Sequence, residues 1–264
     1  MDFGLKNKIV IVSGASQGLG YASALSFAKE GAKIAICSRK KDRIEKAADQ
    51  IRSEIPSADI LAFPADMTNA LSISQFVNQV IEQWGTVHVC ITNTGGPPSI
   101  QFMEAGDEIW EKSFNLTLMS AVRLSRAVIP TMQKQQWGRI IHICSASVKN
   151  PIPNLMMSNT IRSAVVALSK TQSNELADNN ILVNCLLPGW TDTERVGEIM
   201  SAKAKYQQIS LEEAYRLRKN LIPLKRMGKP EEIADSIVFL ASERASFITG
   251  TILTVDGGET RVPF

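Results

Sequence analysis

Seven short runs of aliphatic, largely β-branched residues recur along the chain, at residues 9–12, 33–37, 60–63, 87–91, 139–143, 181–185 and 251–255. Runs of this kind, apolar at most positions and not merely at alternate ones, suit strands covered on both faces. Nearly all are separated by helix-length amphipathic segments, such as residues 21–30, 41–54, 71–84 and 161–177. Alternation of strand and helix implies right-handed crossovers and a parallel sheet with helices on both sides. No Gly/Ser linker, charge block or internal repeat interrupts the rhythm, so the expectation is a single α/β domain over residues 1–264, doubly wound on a seven-stranded parallel sheet. One stretch departs from it: residues 193–220, rich in Glu, Lys and Arg, read as helices with no following strand before Pro223. That stretch is either a helical substrate lobe or a solvated excursion.

Composition narrows the class of partner. With 29 Lys and Arg against 26 Asp and Glu the net charge is +3, and no long run carries one sign, so neither nucleic acid nor anionic lipid is expected to bind. No apolar run approaches the roughly 18 residues of a membrane span. The first eight residues carry Asp2, Lys6 and Lys8 where a secretory signal would need a longer apolar stretch, so a cytoplasmic protein is expected. Cys37, Cys90, Cys144 and Cys185 are dispersed, each in or at the end of an apolar run, which suits reduced buried thiols and no metal site.

Candidate chemistry begins directly after the first run, at Ser13-Gly14-Ala15-Ser16-Gln17-Gly18-Leu19-Gly20, which leads into the first helix. Glycines there let the backbone turn sharply and approach a pyrophosphate, to which the helix start offers free N–H groups. The spacing is Gly-x-x-x-Gly-x-Gly, not the Gly-x-Gly-x-x-Gly of many dinucleotide sites. After the second run stands Ser38-Arg39-Lys40-Lys41, without the acid that would bond ribose hydroxyls; a hydroxyl and a guanidinium suit the extra phosphate of NADP, so NADP is expected over NAD.

Over essentially its whole length the chain resembles the short-chain dehydrogenase/reductase family, most closely members similar to 3-oxoacyl-carrier-protein reductases. The motifs that carry the likeness are Gly14, Gly18 and Gly20; Asp66 in Ala65-Asp66-Met67-Thr68; Thr92-Asn93-Thr94-Gly95; Val183-Asn184; Pro188-Gly189 with Thr193; Pro223-Leu224-Lys225-Arg226; and Val255-Asp256-Gly257-Gly258. The resemblance implies a Rossmann-like fold and a homodimer or homotetramer built through helices near residues 110–135 and 155–177. It implies cofactor contacts from Gly14, Ser16, Gln17, Gly18, Leu19, Gly20, Ser38 and Arg39, then from Asp66, Met67, Asn93, Thr94 and Gly95. Further contacts are implied from Arg162, Pro188, Gly189, Thr191 and Thr193.

In the family a Ser, a Tyr-x-x-x-Lys pair and an Asn carry the chemistry. The Ser and Asn correspond to Ser145 and Asn115, but a gap-free alignment puts Ser158 at the Tyr position and Arg162 at the Lys position. A seryl hydroxyl is a far weaker acid than a phenol, and an arginine, with a pKa above about 12, cannot shuttle protons near neutrality. The resemblance therefore implies an NAD(P)-dependent oxidoreductase acting on a carbonyl or alcohol substrate, 3-oxoacyl-like, with an atypical proton donor, or alternatively an NADP-binding regulatory or scaffold protein with little redox turnover. A non-redox reaction on the same scaffold is a third reading. Tyr206 and Tyr215 are candidate substitute acids or else lid anchors, and Lys149 is a candidate acid or carboxylate anchor or else a solvated lysine. Arg195 is a candidate anchor for an anionic substrate or a surface residue at a helix start, and His88 and His142 read as packed strand residues.

Overall fold

The computed structural model describes residues 2–262. The apolar runs become β1 (Ile9–Ser13), β2 (Lys33–Ser38), β3 (Ile60–Pro64), β4 (Val89–Thr92), β5 (Gly138–Ile143), β6 (Ile181–Pro188) and β7 (Ile252–Val255). All pair in parallel, in the order β3-β2-β1-β4-β5-β6-β7. Alternate side chains serve opposite faces. Val10, Val12, Ile34, Ile36 and Ile141 pack beneath α1 (Gly18–Lys29), α2 (Lys41–Glu54) and the late helix Pro230–Ala241. Ile9, Ile11, Cys90 and Ile140 pack beneath α3 (Ala70–Trp84) and the helix Ser120–Lys134. Both faces are thus apolar, which is why the strands lack a simple polar alternation.

The fourth strand starts later than its apolar run. The Ile9 N–H donates to His88 Nδ1 at 3.0 Å, so the imidazole occupies a position beside the ladder, and regular pairing begins at Val89. Beyond it come α4 (Asp107–Phe114), one wide π turn (Asn115–Met119), α5 (Ser120–Lys134) and α6 (Met156–Glu175). Residues 193–220 fold largely as α7 (Glu194–Gln207) and α8 (Leu211–Leu221), and α9 (Pro230–Ala241) completes the helices. Met200, Ile222 and Met227, with Trp190, Val196, Ile199 and Tyr215 against them, give α7 and α8 a small apolar cluster of their own.

From β1 the chain winds outward to β2 and β3, and from β4 it winds the other way. The crevice between β1 and β4, at the carboxyl ends of the strands, is where such a sheet opens to a ligand. Among the described residues no helix is long and apolar enough to cross a membrane.

Candidate functional site

Two clefts of about 260 and 280 Å3 meet at this crevice, sharing Gly14, Gln17, Asn93, Thr94, Gly95 and Gly96. Together they fall in the ~300–1,000 Å3 range of small-molecule sites. Their common floor is the bend after β1. Gly14 has φ +60°, and a Cβ there would lie 2.8 Å from the Asn93 carbonyl oxygen. Gly20, one turn into α1, would drive a Cβ to 2.4 Å from the Gly14 carbonyl oxygen. Asn93 ties the bend down, its Nδ2 donating to Gly14 O at 3.1 Å, while Ser13 Oγ donates to Asn93 O and accepts from Asn93 N–H. Gly20 lies under the turn, and Gly14, Ser16, Gln17, Gly18 and Leu19 line the clefts.

At one end, Ser16, Ser38, Arg39, Asp66 and Met67, all candidates from the sequence, surround the second cleft. Lys40 and Arg43 join them, so three cations border this end and none makes an ion pair among the described residues. Arg43 escaped the sequence reading, although its place one helical turn beyond Arg39 was a usable signal. Thr68 donates its N–H and its hydroxyl to Asp66 Oδ1, at 2.9 and 2.8 Å, which leaves Oδ2 to the cleft.

At the other end a chamber is lined by Ser145, Ser158, Arg162, Pro188, Gly189, Thr191 and Thr193, together with Leu19. Ser145 Oγ accepts from Ser147 N–H at 3.1 Å and keeps its own hydrogen to donate. Arg162 is only 9% exposed; its Nη1 donates to the carbonyls of Ile143 and Cys144 at 3.0 and 3.1 Å, and its Nε is buried without an acceptor. No carboxylate lies within ion-pair distance of it among the described residues. Burial draws its pKa down, nearby Cys144 and Cys185 oppose this, and Arg195 adds to it. The Cys144 thiol donates weakly to the Arg162 carbonyl at 3.9 Å. All four cysteines are free and buried.

Asn115, like Gly20, lines neither cleft. It stands at the start of the π turn, its Nδ2 donates to Thr68 O at 3.1 Å, and its Oδ1 accepts from Arg123. Arg123 also donates to Thr68 O at 2.8 Å, so the amide is held in a local network and its side chain lines neither cleft.

Neither Tyr206, Tyr215 nor Lys149 lines the clefts. Tyr206 is exposed, and Tyr215 packs in the α7–α8 cluster with its hydroxyl near Gly197. His142 is a satisfied core residue: its ring bonds Thr92 Oγ1 at 2.8 Å and Gln172 Oε1 at 2.9 Å, and burial pushes its pKa down to about 4.

The wall opposite Ser145 comes from the chain after β6 and from α7. Gly189 sits where a Cβ would strike Asp256 Cβ at 2.5 Å, and Asp256 accepts from the Gly258 and Thr260 N–H groups. That turn carries Glu259 and Thr260 to an adjoining pocket of about 120 Å3, shared with Ile152, Leu155, Trp190 and Ile199. Glu259 is ion-paired with Arg218, whose guanidinium lies 4.6 Å from the Trp190 ring centroid. Arg195 extends from α7 to the loop after β4, where Nη2 donates to Pro97 O at 3.1 Å. Among the described residues no cluster of three or more His, Cys, Asp or Glu side chains is placed to hold a metal ion.

Comparison with known proteins agrees with this geometry. The family model described as enoyl-(acyl carrier protein) reductase matches residues 14–260. An uncharacterised oxidoreductase of Bacillus subtilis strain 168, YvrD, is 31% identical over 265 residues, which is 99% of each chain. The NADPH-dependent reductase BacG of the same organism is 32% identical over 257 residues, 97% of this chain and 99% of its own. The crystal structure of L-sorbose reductase from Gluconobacter frateurii, in complex with NADPH and L-sorbose, superimposes with a TM-score of 0.95 at 32% identity, covering 99% of this chain and all of the other.

Proposed function

Since the chain belongs to the short-chain dehydrogenase/reductase family, we propose that it is an NADP-dependent oxidoreductase that interconverts a carbonyl and an alcohol on a small substrate, with a proton source other than tyrosine. The observation that carries this reading is the trench running from three unpaired cations, over a glycine bend, to two hydroxyls and a buried guanidinium. Its residues fit the dinucleotide. Gly95 offers open backbone, with nothing within 4 Å of an added Cβ, and the start of α1 presents N–H groups where a pyrophosphate would lie. Asp66 Oδ2 is free to accept from an adenine amino group, and Arg39, Lys40 and Arg43 suit the 2′-phosphate of NADP over the bare ribose of NAD.

The dinucleotide, when bound, supplies or takes the two electrons and one hydrogen of the carbonyl–alcohol couple. The chain supplies position and charge. Ser145, its hydroxyl oriented by the Ser147 N–H, donates toward a substrate oxygen. Arg162 provides a fixed positive charge where negative charge grows on that oxygen, and stays protonated throughout because a guanidinium does not give up its proton near neutrality. The proton then comes from water admitted to the chamber and passed by the Ser145 and Ser158 hydroxyls. In this reading α7 and α8 form the lobe that covers the substrate. The protein works as a cytoplasmic homodimer or homotetramer associated through α4, α5 and α6, an arrangement that would cover the half-exposed Phe114.

Fluorescence titration with NADPH and NADH, followed by a screen of ketones, aldehydes and 3-oxoacyl thioesters for cofactor oxidation, tests the reading. NADPH should bind the more tightly and be consumed; tight binding without turnover on any carbonyl would replace the enzyme with a dinucleotide-binding regulator. The proton source is tested by Ser158→Tyr with Arg162→Lys. Restoring a positioned general acid should raise turnover, by up to ~10²–10⁴-fold where protonation limits the rate. An unaltered rate in the double variant would mean that the active site departs from the family pattern beyond these two positions.

A further inference from the structure

Two guanidinium groups, Arg162 from α6 and Arg195 from α7, line one chamber. The carboxylates around them do little to offset that charge. Glu198 pairs with Arg195 at 3.1 Å, but both side chains are well exposed, and water screens such a pair strongly. Glu194, at the chamber mouth, makes no ion pair among the described residues, and Glu259 is taken by Arg218. Next to Arg162 the ionisable neighbours are the thiols Cys144 and Cys185. A cation removed from water is costly unless an anion or well-placed dipoles compensate it, and Arg162 has two backbone carbonyls and an unsatisfied Nε.

We propose that the substrate itself brings the missing negative charge: it is an oxo acid or hydroxy acid whose carboxylate docks on Arg195, and Arg195 is the residue that selects it. This rests on the oxidoreductase reading above. Arg195 is built for the task. Its Nη2 is anchored on Pro97 O, and its Nε lies 3.6 Å from the Cβ position of Gly96, so the planar fork is held across the chamber between α7 and the loop after β4. A carboxylate arriving there displaces only Glu198 from Nη1, exchanging a solvent-screened pair for a more enclosed one. Leu155, Val196 and Ile199 line the rest of the space, which suits a short aliphatic body between the carboxylate and the reacting oxygen.

The test compares matched acids and methyl esters on the NADPH-loaded protein, using acetoacetate and levulinate with their esters. The acids should exceed the esters in kcat/KM by tenfold or more. Arg195→Ala should cut that ratio at least tenfold, mainly through KM of the acid, and Arg195→Lys should restore part of it. Malonate, an unreactive dianion, should bind the NADPH-loaded protein in calorimetry, weaken as salt rises, and bind more tightly to Glu198→Gln, in which Arg195 has lost its competitor. Equal use of acids and esters, or an Arg195→Ala ratio like that of the parent protein, would overturn the proposal while leaving the oxidoreductase standing. Should no carbonyl be turned over, malonate decides alone, and absence of binding overturns it. Failure of NADPH to bind would instead remove the oxidoreductase reading.

Discussion

Strand β5 has a buried arginine at each end, and the two are treated in opposite ways. At its beginning Arg139, 1% exposed, lies 4.2 Å from the Trp137 ring centroid and donates to the carbonyls of Gly138 and Asn180. Glu243 approaches its Nη2 at 3.8 Å, and Trp137 Nε1 donates to the same carboxylate at 3.1 Å. At the other end Arg162 donates to the last carbonyls of the strand run, with no carboxylate in ion-pair range and no aromatic ring stacked on it among the described residues. Both keep an unsatisfied Nε, so hydrogen bonding alone does not separate them. Counter-charge does. The compensated cation is a structural tie between the sheet and the segment after α9, whereas the uncompensated one faces a cleft and is available to a ligand.

The sharpest way to break this contrast is to remove the upper charge. Arg162→Met keeps the bulk and discards the cation, and the carbonyls it leaves behind belong to residues lining a cleft that water reaches. Turnover should fall by roughly 10²–10³-fold, the usual loss when a preorganised electrostatic donor is deleted. The melting temperature should stay level or rise, because a buried cation without a counter-charge carries a desolvation cost that apolar bulk does not. Steady-state kinetics and thermal melts on one preparation check both halves. A variant that melts well below the parent protein would make Arg162 as structural as Arg139.

Between the two arginines, His142 shows a third solution: it is buried uncharged. Its folded pKa, near 4, lies below the ordinary 6.5, with burial as the main cause and the Gln172 hydrogen bond opposing it. As pH falls below about 6.5 the unfolded chain takes up a proton that the folded protein refuses until about pH 4. The sign is therefore fixed: this contribution to stability is complete above pH 6.5 and is lost on the way down to 4. At ~1.36 kcal/mol per unit the loss is on the order of 3 kcal/mol. Half-buried His88, also held near 4 by burial and by Lys8, acts in the same direction. Denaturant titrations between pH 7 and 4 should show the decline, and His142→Gln should lessen it, leaving the share of His88. A slope unaltered in that variant would assign the acid sensitivity elsewhere.

These contrasts also mark what the sequence makes legible. Sheet and helices could be read because every strand is an aliphatic run and the helices between carry their own spacing. The glycine bend could be read because Gly14 and Gly20 answer to backbone contacts that no other residue would tolerate. Ser158 and Arg162 came from a gap-free alignment with the family motif, and both line the chamber. Counter-charge is another matter. Arg139 opens an apolar run whether or not a carboxylate waits beside it, and Glu243 reaches it from far along the chain. Asn115 sits where a motif puts it, yet the π turn and Arg123, which no local pattern announces, commit its amide to Thr68. The cluster of Arg39, Lys40 and Arg43 became whole only when α2 brought Arg43 round to the cleft.

The smallest effect belongs to the lower arginine. Glu243→Gln keeps the shape of the side chain and an acceptor for Trp137, but withdraws the counter-charge from Arg139. Deleting a partner of a fully buried pair commonly costs 3–5 kcal/mol. Here Glu243 is 46% exposed and 3.8 Å away, so water shares the task, and a loss of about 1–2 kcal/mol is expected, near that of one hydrogen bond to a charged group. Lys8, 3.9 Å from the same carboxylate and 4.0 Å from the Trp137 ring centroid, should make the loss slightly smaller at high salt. Turnover per folded molecule should match the parent protein, since the cluster lies at the far end of β5 from the chamber. Urea unfolding at two ionic strengths, read beside NADPH consumption, would decide it. A variant that kept its stability but lost activity would reverse the roles given to the two ends of the strand.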